Sequence, residues 1–306
     1  MCRALAVRFG GLPHSHETVD APPPEVAADI SRLWLRNTFV WRRARVVDED
    51  ARSVVSLTTH GRRIEDVWLA IESIGRGTVR PRRIILWLDD ADVRLPHRVR
   101  RLRRRGLEVL RTPHGLGVHT KYQPYIRTQP LKMPLVLADD DIIYPPEWLL
   151  GLERAYAESP GHVIAYRAHI VGMNEDGSFQ PYRLWRSCDD SSASFAHFAT
   201  SVSGQLLAPS LQVELLRQGD AFLEHAPTAD DVWLHRTAVL AGYRTRQVDE
   251  GQRHWWFIPG SQTTGLNTVN VGEGGNDRQI DLSHTEVTRN RIRADIEADR
   301  LERPSR

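Results

Sequence analysis

Residues 134–149 read PLVLADDDIIYPPEWL, and the fold turns on how this stretch is interpreted. An apolar run, Leu135 to Ala138, leads directly into Asp139, Asp140 and Asp141. Ile142, Ile143, Tyr144 and two prolines follow. Four apolar residues bounded by turn-forming residues fit a short strand buried on both faces, which in turn implies a parallel sheet. Alternate residues of extended backbone point the same way, so Asp139 and Asp141 are expected to converge while Asp140 faces elsewhere. Like charges ~6 Å apart cost on the order of 3 kcal/mol at an effective dielectric of ~20, and a divalent cation offsets that cost. Ligation by carboxylates alone favours Mg2+ or Mn2+ over zinc.

Outward from this stretch, strands and helices alternate. SVVSLTT (53–59), RIILWLDD (83–90) and LEVLRT (107–112) read as strands, and IEDVWLAIESI (64–74) and HRVRRLRRR (97–105) as helices. A further helix is expected near Lys121 to Thr128. Parallel neighbours need crossover connections, so the expected class is α/β: a doubly wound, mostly parallel, Rossmann-like sheet with helices on both faces. Ligands in such sheets bind at the carboxyl ends of the strands, where the three aspartates lie. After Pro146 a helix is expected over 147–160 and one strand over 162–173. Residues 174–200 read as a polar loop, and SGQLLAPSLQVELLRQ (203–218) as a turn and helix. TADDVWLHRTAVLAGY (228–243) reads as a helix capped by Thr228, with Asp230 and Asp231 in its positive first turn. A loop over 259–280 and a charged terminal helix over 286–303 complete the chain. The expected division is an extension (1–50) with a short helix, a catalytic domain (51–258) split into halves at 145/146, and a terminal loop and helix (259–306).

The chain has 306 residues with 41 basic and 39 acidic side chains, so no global field points to nucleic acid or membrane. The arginines of 97–106 lack interleaved aromatics and carry Val99 and Leu102 at helical spacing; this is the solvated face of a helix rather than a nucleic-acid patch. Contact of those arginines with anionic lipid headgroups stays open as a peripheral membrane contact. No run of ~18 apolar residues is present to span a bilayer, and two distant cysteines suit no disulfide framework, so a cytoplasmic protein is expected.

Two acidic sites some ninety residues apart in one α/β sheet fit a metal site and a general base. The stretch from 53 to about 92, LADDDIIYPPEWL and TADDVWL together resemble the family-two-like glycosyltransferases of the GT-A fold, in motif order and spacing across roughly residues 53–245. The resemblance implies a nucleotide-sugar donor, UDP-linked by expectation, with Thr58, Thr59 and Arg62 beside the nucleotide and Asp89 or Asp90 near its base or ribose. It implies Asp139 and Asp140 at the donor, Asp139 and Asp141 at a Mn2+ or Mg2+ ion, Asp230 orienting the acceptor, and Asp231 as the base that activates an acceptor hydroxyl with inversion. The acceptor class is open: carbohydrate, lipid-linked or small-molecule. TTHGRR replaces the family's usual loop and removes an acid that often touches the base.

Lys121 is a candidate diphosphate partner or a surface lysine, His254 a third metal ligand or a partly buried histidine, and Gly204 a point of substrate approach or a plain turn. Trp185, Trp233, Trp255 and Trp256 are either sugar-stacking surfaces or core. The competing functional readings are a metal-dependent phosphohydrolase or nucleotidyltransferase using the same aspartates, and a non-enzymatic nucleic-acid-binding protein.

Overall fold

Val54–Thr58 (β1) is buried at all but its last residue, as a strand covered on both faces must be. In the computed structural model, which describes residues 22–40, 44–89, 92–112, 115–261 and 274–302, β1 lies between two parallel neighbours, Arg83–Leu88 (β2) and Leu135–Leu137 (β4). Leu107–Arg111 (β3) pairs with the outer side of β2. On the other side of β4 the order continues with Gln205–Leu207, His162–Ala165, Arg244–Gln247 and Ala193–Ser194. Gln205–Leu207 is antiparallel to both its neighbours, and the edge strand Ala193–Ser194 is antiparallel to Arg244–Gln247. The remaining six of the eight strands run one way, so their carboxyl ends share one edge.

The halves meet where the sequence is least regular. The strand expected over 162–173 breaks after Ala165: Ala168–Ile170 leaves the main sheet and pairs with His197–Ala199 and Arg186–Ser187 in a small second sheet. Residues 174–200, expected to be loop, therefore supply four short elements. The turn expected before the helix Pro209–Arg217 contains the central antiparallel strand, three residues long and completely buried. The helix Asp230–Ala241 begins after Ala229. Thr228 does not cap it; the Thr228 hydroxyl instead accepts from Gln279 Nε2 at 2.9 Å. Gln279 belongs to the helix Gly275–Ser283, which replaces part of the expected 259–280 loop; residues 262–273 lie outside the described residues. Among the described residues, no helix is long and apolar enough to cross a membrane.

The N-terminal segment is built into the sheet's cover. Pro24–Leu35 (α1) buries Val26 and Leu33 against the core that Val67–Gly75 (α2) shares. Every residue of α2 is buried, including Glu72, whose carboxylate has no solvent access. Glu72 accepts from Arg36 Nε at 2.8 Å, from both terminal nitrogens of Arg105 at 2.6 and 2.8 Å, and from Asn37 Nδ2 at 3.2 Å. His97–Arg103 (α3) buries Val99 and Leu102, as its spacing predicts, and Arg98 lies 4.5 Å from the Trp68 ring. Arg105 departs from the solvated-face reading because Glu72 draws it inside.

Removing one member of a buried, fully hydrogen-bonded pair leaves the other charge without compensation, a loss of about 3–5 kcal/mol. Glu72→Gln is therefore expected to destabilise the protein by that amount in urea unfolding, whereas Glu65→Gln, at an exposed position, should change stability by less than about 0.5 kcal/mol.

Candidate active site

Strand β4 ends at Leu137, two residues before Asp139, so the three aspartates lie beyond the strand, where the chain turns at the sheet mouth. The Tyr144 hydroxyl accepts the Asp139 N–H at 2.8 Å, folding the quoted stretch back on itself. Beyond the turn, Ile142–Ile143 pairs antiparallel with Trp256–Phe257, and the Ile258 N–H donates to the Asp141 carbonyl at 2.7 Å. Asp139 faces one cation, and Asp140 and Asp141 share another. Asp139 accepts from Lys121 Nζ at 2.8 Å. Asp140, buried, accepts from the Thr59 hydroxyl at 2.6 Å and from Arg63 Nη1 at 3.0 Å. Asp141 stands 3.2 Å from the same Arg63 nitrogen. Burial outweighs these donors for Asp140, so its carboxyl titrates above the usual range.

Lys121 is not a surface lysine. It is buried, with Nζ 2.8 Å from Asp139, 3.1 Å from Asp230 and 3.1 Å from the Ser201 hydroxyl. Its position is set by the backbone: the Ser56 hydroxyl of β1 donates to the Lys121 carbonyl at 2.6 Å, and Trp87 Nε1 of β2 donates to that hydroxyl at 3.0 Å. Two residues earlier, buried His119 lies 2.7 Å from the Ala226 carbonyl and 2.7 Å from the Tyr122 hydroxyl, fastening this turn to the loop before Asp230. Burial lowers the His119 pKa to about 4, which keeps the ring neutral.

Asp230 and Asp231 open their helix facing this lysine. The Ser201 N–H donates to Asp231 Oδ1 at 2.9 Å. Helix-dipole and hydrogen-bond effects favour the charged form, yet burial, followed by the neighbouring charge of Asp230, wins and pushes the Asp231 carboxyl up to about 8. Asp230 Oδ2 is buried and makes no hydrogen bond, Lys121 facing it as an ion pair only. Asp139, Asp140, Asp141, Asp230 and Asp231 thus surround two cations, Lys121 and Arg63, and the cluster carries an excess of negative charge whether or not Asp231 holds its proton.

Other predicted residues distribute around this cluster. A cavity of about 220 Å³ at the carboxyl ends of β1 and β2 is lined by Thr59, His60, Gly61, Ile64, Leu88, Asp89 and Val93. The Thr58 hydroxyl donates to the Trp87 carbonyl at 3.1 Å. Asp90 lies outside the described residues. Arg62 is exposed, and its neighbour Arg63 turns inward instead: the single-turn helix Gly61–Glu65 sends adjacent residues in different directions. Gly204 has φ +105°, and a Cβ there would come within 2.5 Å of the Trp148 ring, so its glycine answers to packing. His254 is exposed; burial of part of the ring and nearby Arg167 lower its pKa. Asp139, Asp141 and His254 are not a set of three donors within 4.8 Å of one another; Asp139 faces Lys121 and Asp141 faces Arg63. Trp185 and Trp233 are core, Trp255 is partly buried against Tyr166, and Trp256 is exposed. Arg63, Ser201 and Tyr144 are the site residues that sequence reasoning missed. Tyr144 was signalled only by its nearness to the aspartates.

A second concavity, about 340 Å³ and lined by Arg45, Val47, Asp48, Glu49 and Arg80, lies at the opposite edge of the sheet, before β2 begins. It is remote from this chemistry.

No protein-family model matches the chain, and no curated protein matches it. Among solved structures, S. aureus TarS (residues 1–349) superposes with a TM-score of 0.51 at 13% identity over 83% of this chain and 73% of that one. The fold shared with that structure is α/β, a large mostly parallel sheet flanked by helices. Two further structures match less well: the inositol-1-phosphate CTP transferase of T. maritima (TM-score 0.41, 14% identity, 73% of this chain and 96% of that one) and a CMP:2-keto-3-deoxy-manno-octonic acid synthetase complexed with CTP (0.39, 11%, 64% and 89%).

The raised Asp231 carboxyl makes a thermodynamic prediction. The folded state keeps a proton that the unfolded chain releases near pH 4, so this group costs stability increasingly as pH rises from about 4 through about 8. Asp231→Asn removes the cost. Melting temperatures in metal-free buffer should show the variant gaining on the wild type between pH 5 and pH 9; a constant difference would contradict the assignment.

Proposed function

We propose that the protein is a metal-dependent glycosyltransferase that moves a sugar from a nucleotide diphosphate donor, UDP-linked, to a hydroxyl acceptor with inversion. The observation that carries this reading is the juxtaposition of Asp231, a base of raised affinity for protons, with a separate set of carboxylates across Lys121. A diphosphate cannot enter a pocket that is already negative without added positive charge. That excess is the argument that the donor set fits a hard divalent cation, with Asp141 and Asp139 as the residues that would hold Mn2+ or Mg2+. Such an ion, when bound, supplies charge neutralisation at the departing diphosphate.

The chain's own residues do the rest. The cavity floor of Ile64, Leu88 and Val93, with Thr59 and Asp89 at its rim, suits the flat base and ribose of the donor. Arg63 holds Asp140 and Asp141 in place and adds a fixed positive charge beside the diphosphate. Asp230 Oδ2, without a hydrogen-bond donor, suits an acceptor hydroxyl, and Asp231 takes the proton as that hydroxyl attacks in line. The Ser201 N–H keeps the Asp231 carboxylate oriented. The GT-A type fold shared with TarS supplies the same scaffold. Nucleotidyl transfer and phosphate hydrolysis use similar carboxylates and are told apart from glycosyl transfer by the product released.

Manganese should be needed for a nucleotide sugar to raise the melting temperature, and that rise should vanish in Asp141→Ala while persisting in Asp231→Ala. Asp231→Ala should lower kcat by about 10²–10⁴-fold. In the wild type, kcat/KM should climb as pH rises toward 8. Release of nucleoside diphosphate is expected; release of pyrophosphate or inorganic phosphate would replace this reading with the alternative.

A further inference from the structure

Outside the acidic cluster, three donors of different chemistry meet beside the small second sheet. The Sγ of Cys188, a carboxylate oxygen of Asp190 and a ring nitrogen of His197 all lie within 4.8 Å of one another. Among the described residues this is the one set of three metal-type donors so gathered. Each donor rests on anchored backbone. The Cys188 N–H donates to the Ala168 carbonyl at 2.9 Å, and Gln247 Nε2 donates to the Cys188 carbonyl at 3.3 Å. Asp190 Oδ1 accepts from the N–H and hydroxyl of Ser192 at 2.7 and 2.6 Å. His197 opens the strand His197–Ala199, registered opposite Ile170.

A second observation points to a ligand. His197 is 5% exposed, yet its Nδ1 is buried with no hydrogen-bond partner, an arrangement that costs free energy unless something occupies the nitrogen. Backbone groups of Ser192 and Thr245 lie beside the ring, and neither supplies Nδ1 with a hydrogen-bond partner. Burial lowers the pKa of this histidine, so it stands neutral at physiological pH. The Cys188 thiol donates a weak hydrogen bond, 3.3 Å to the Asp190 carbonyl.

We propose that Cys188, Asp190 and His197 form a binding site for a thiolate-seeking divalent transition metal of the zinc class, separate from the Mn2+ or Mg2+ chemistry of the acidic cluster. A sulfur, a nitrogen and an oxygen donor select a borderline-soft ion, whereas carboxylates alone select hard ones. On binding, the Cys188 S–H bond breaks, its proton leaves to solvent, and the thiolate takes a place in the metal's coordination shell. Three protein ligands leave a fourth position for water. The metal would clip the 188–192 loop to the strand His197–Ala199. That strand runs into Ser201, whose N–H holds Asp231, so occupancy stiffens one wall of the acceptor site.

The test uses the full-length, untagged chain carrying Cys2→Ser, which leaves Cys188 as its single thiol. Titration with Co2+ as a spectroscopic stand-in should give one equivalent bound with a sulfur-to-cobalt charge-transfer band. Zn2+ should displace the cobalt and slow alkylation of Cys188 at least tenfold. Cys188→Ser and His197→Ala should abolish the band, while Asp141→Asn keeps it. Circular dichroism of the near-isosteric Cys188→Ser variant separates loss of binding from loss of fold. Absence of the band in the folded protein, or its survival in Cys188→Ser, would overturn the proposal.

Discussion

A single ammonium group holds the two acidic motifs together at the sheet mouth. Lys121 leaves the first half of the sheet by a turn tied to Ser56, and its Nζ lies between Asp139 at the end of β4 and Asp230 at the start of a helix in the second half. Asp231 and Ser201 stand beside the same nitrogen. In a site this buried, four charged groups are tolerable only because attraction to the lysine offsets their desolvation and mutual repulsion. Burial alone would strip the lysine of its proton, but the surrounding carboxylates hold its pKa well above the usual lysine range. The acidic motif and the basic centre that it surrounds are therefore one structural unit, whose geometry decides which carboxylate is a base and which are ligands.

The same logic explains why neighbouring acids behave differently. Asp140 is committed to Thr59 and Arg63, and so stiffens the loop after β1, while Asp141 stands beside the same guanidinium. Asp231 receives one backbone N–H and little else, so burial raises its affinity for a proton. The opposite end of the molecule uses an analogous device for a different purpose. Glu72 gathers Arg36, Asn37 and Arg105, binding the N-terminal segment to the helices that cover the sheet. That cluster is sealed from solvent, and the one at the sheet mouth lies beside an open cavity.

Much of the first half was legible in the sequence because its physical signals are local. Buried parallel strands read as largely apolar runs, as β1, β2 and β4 do, while the outer strand β3 reads as a partly exposed strand that mixes apolar and charged residues. The second half was harder. Gln205–Leu207 is three residues long and gave no periodicity to detect, although it is the antiparallel strand that joins the halves. The apolar run from His162 to Met173 looked like one strand because a change of sheet at Tyr166 and Arg167 leaves hydrophobic content unaltered. At the site, residue types were visible and directions were not. Arg62 and Arg63 are indistinguishable until a single-turn helix turns one inward, and the pairing of Asp139 with Lys121 and of Asp141 with Arg63 was not visible in the spacing. Long-range pairing of that kind leaves no mark in the spacing of a single chain.

The most direct measurement is a double-mutant cycle on Lys121→Met and Asp230→Asn, followed by urea unfolding at pH 8 in metal-free buffer. If the lysine is the shared counter-charge, Lys121→Met alone loses about 3–5 kcal/mol, and adding Asp230→Asn restores at least about 1 kcal/mol of it. Strictly additive effects, or a Lys121→Met variant as stable as the wild type, would contradict this account.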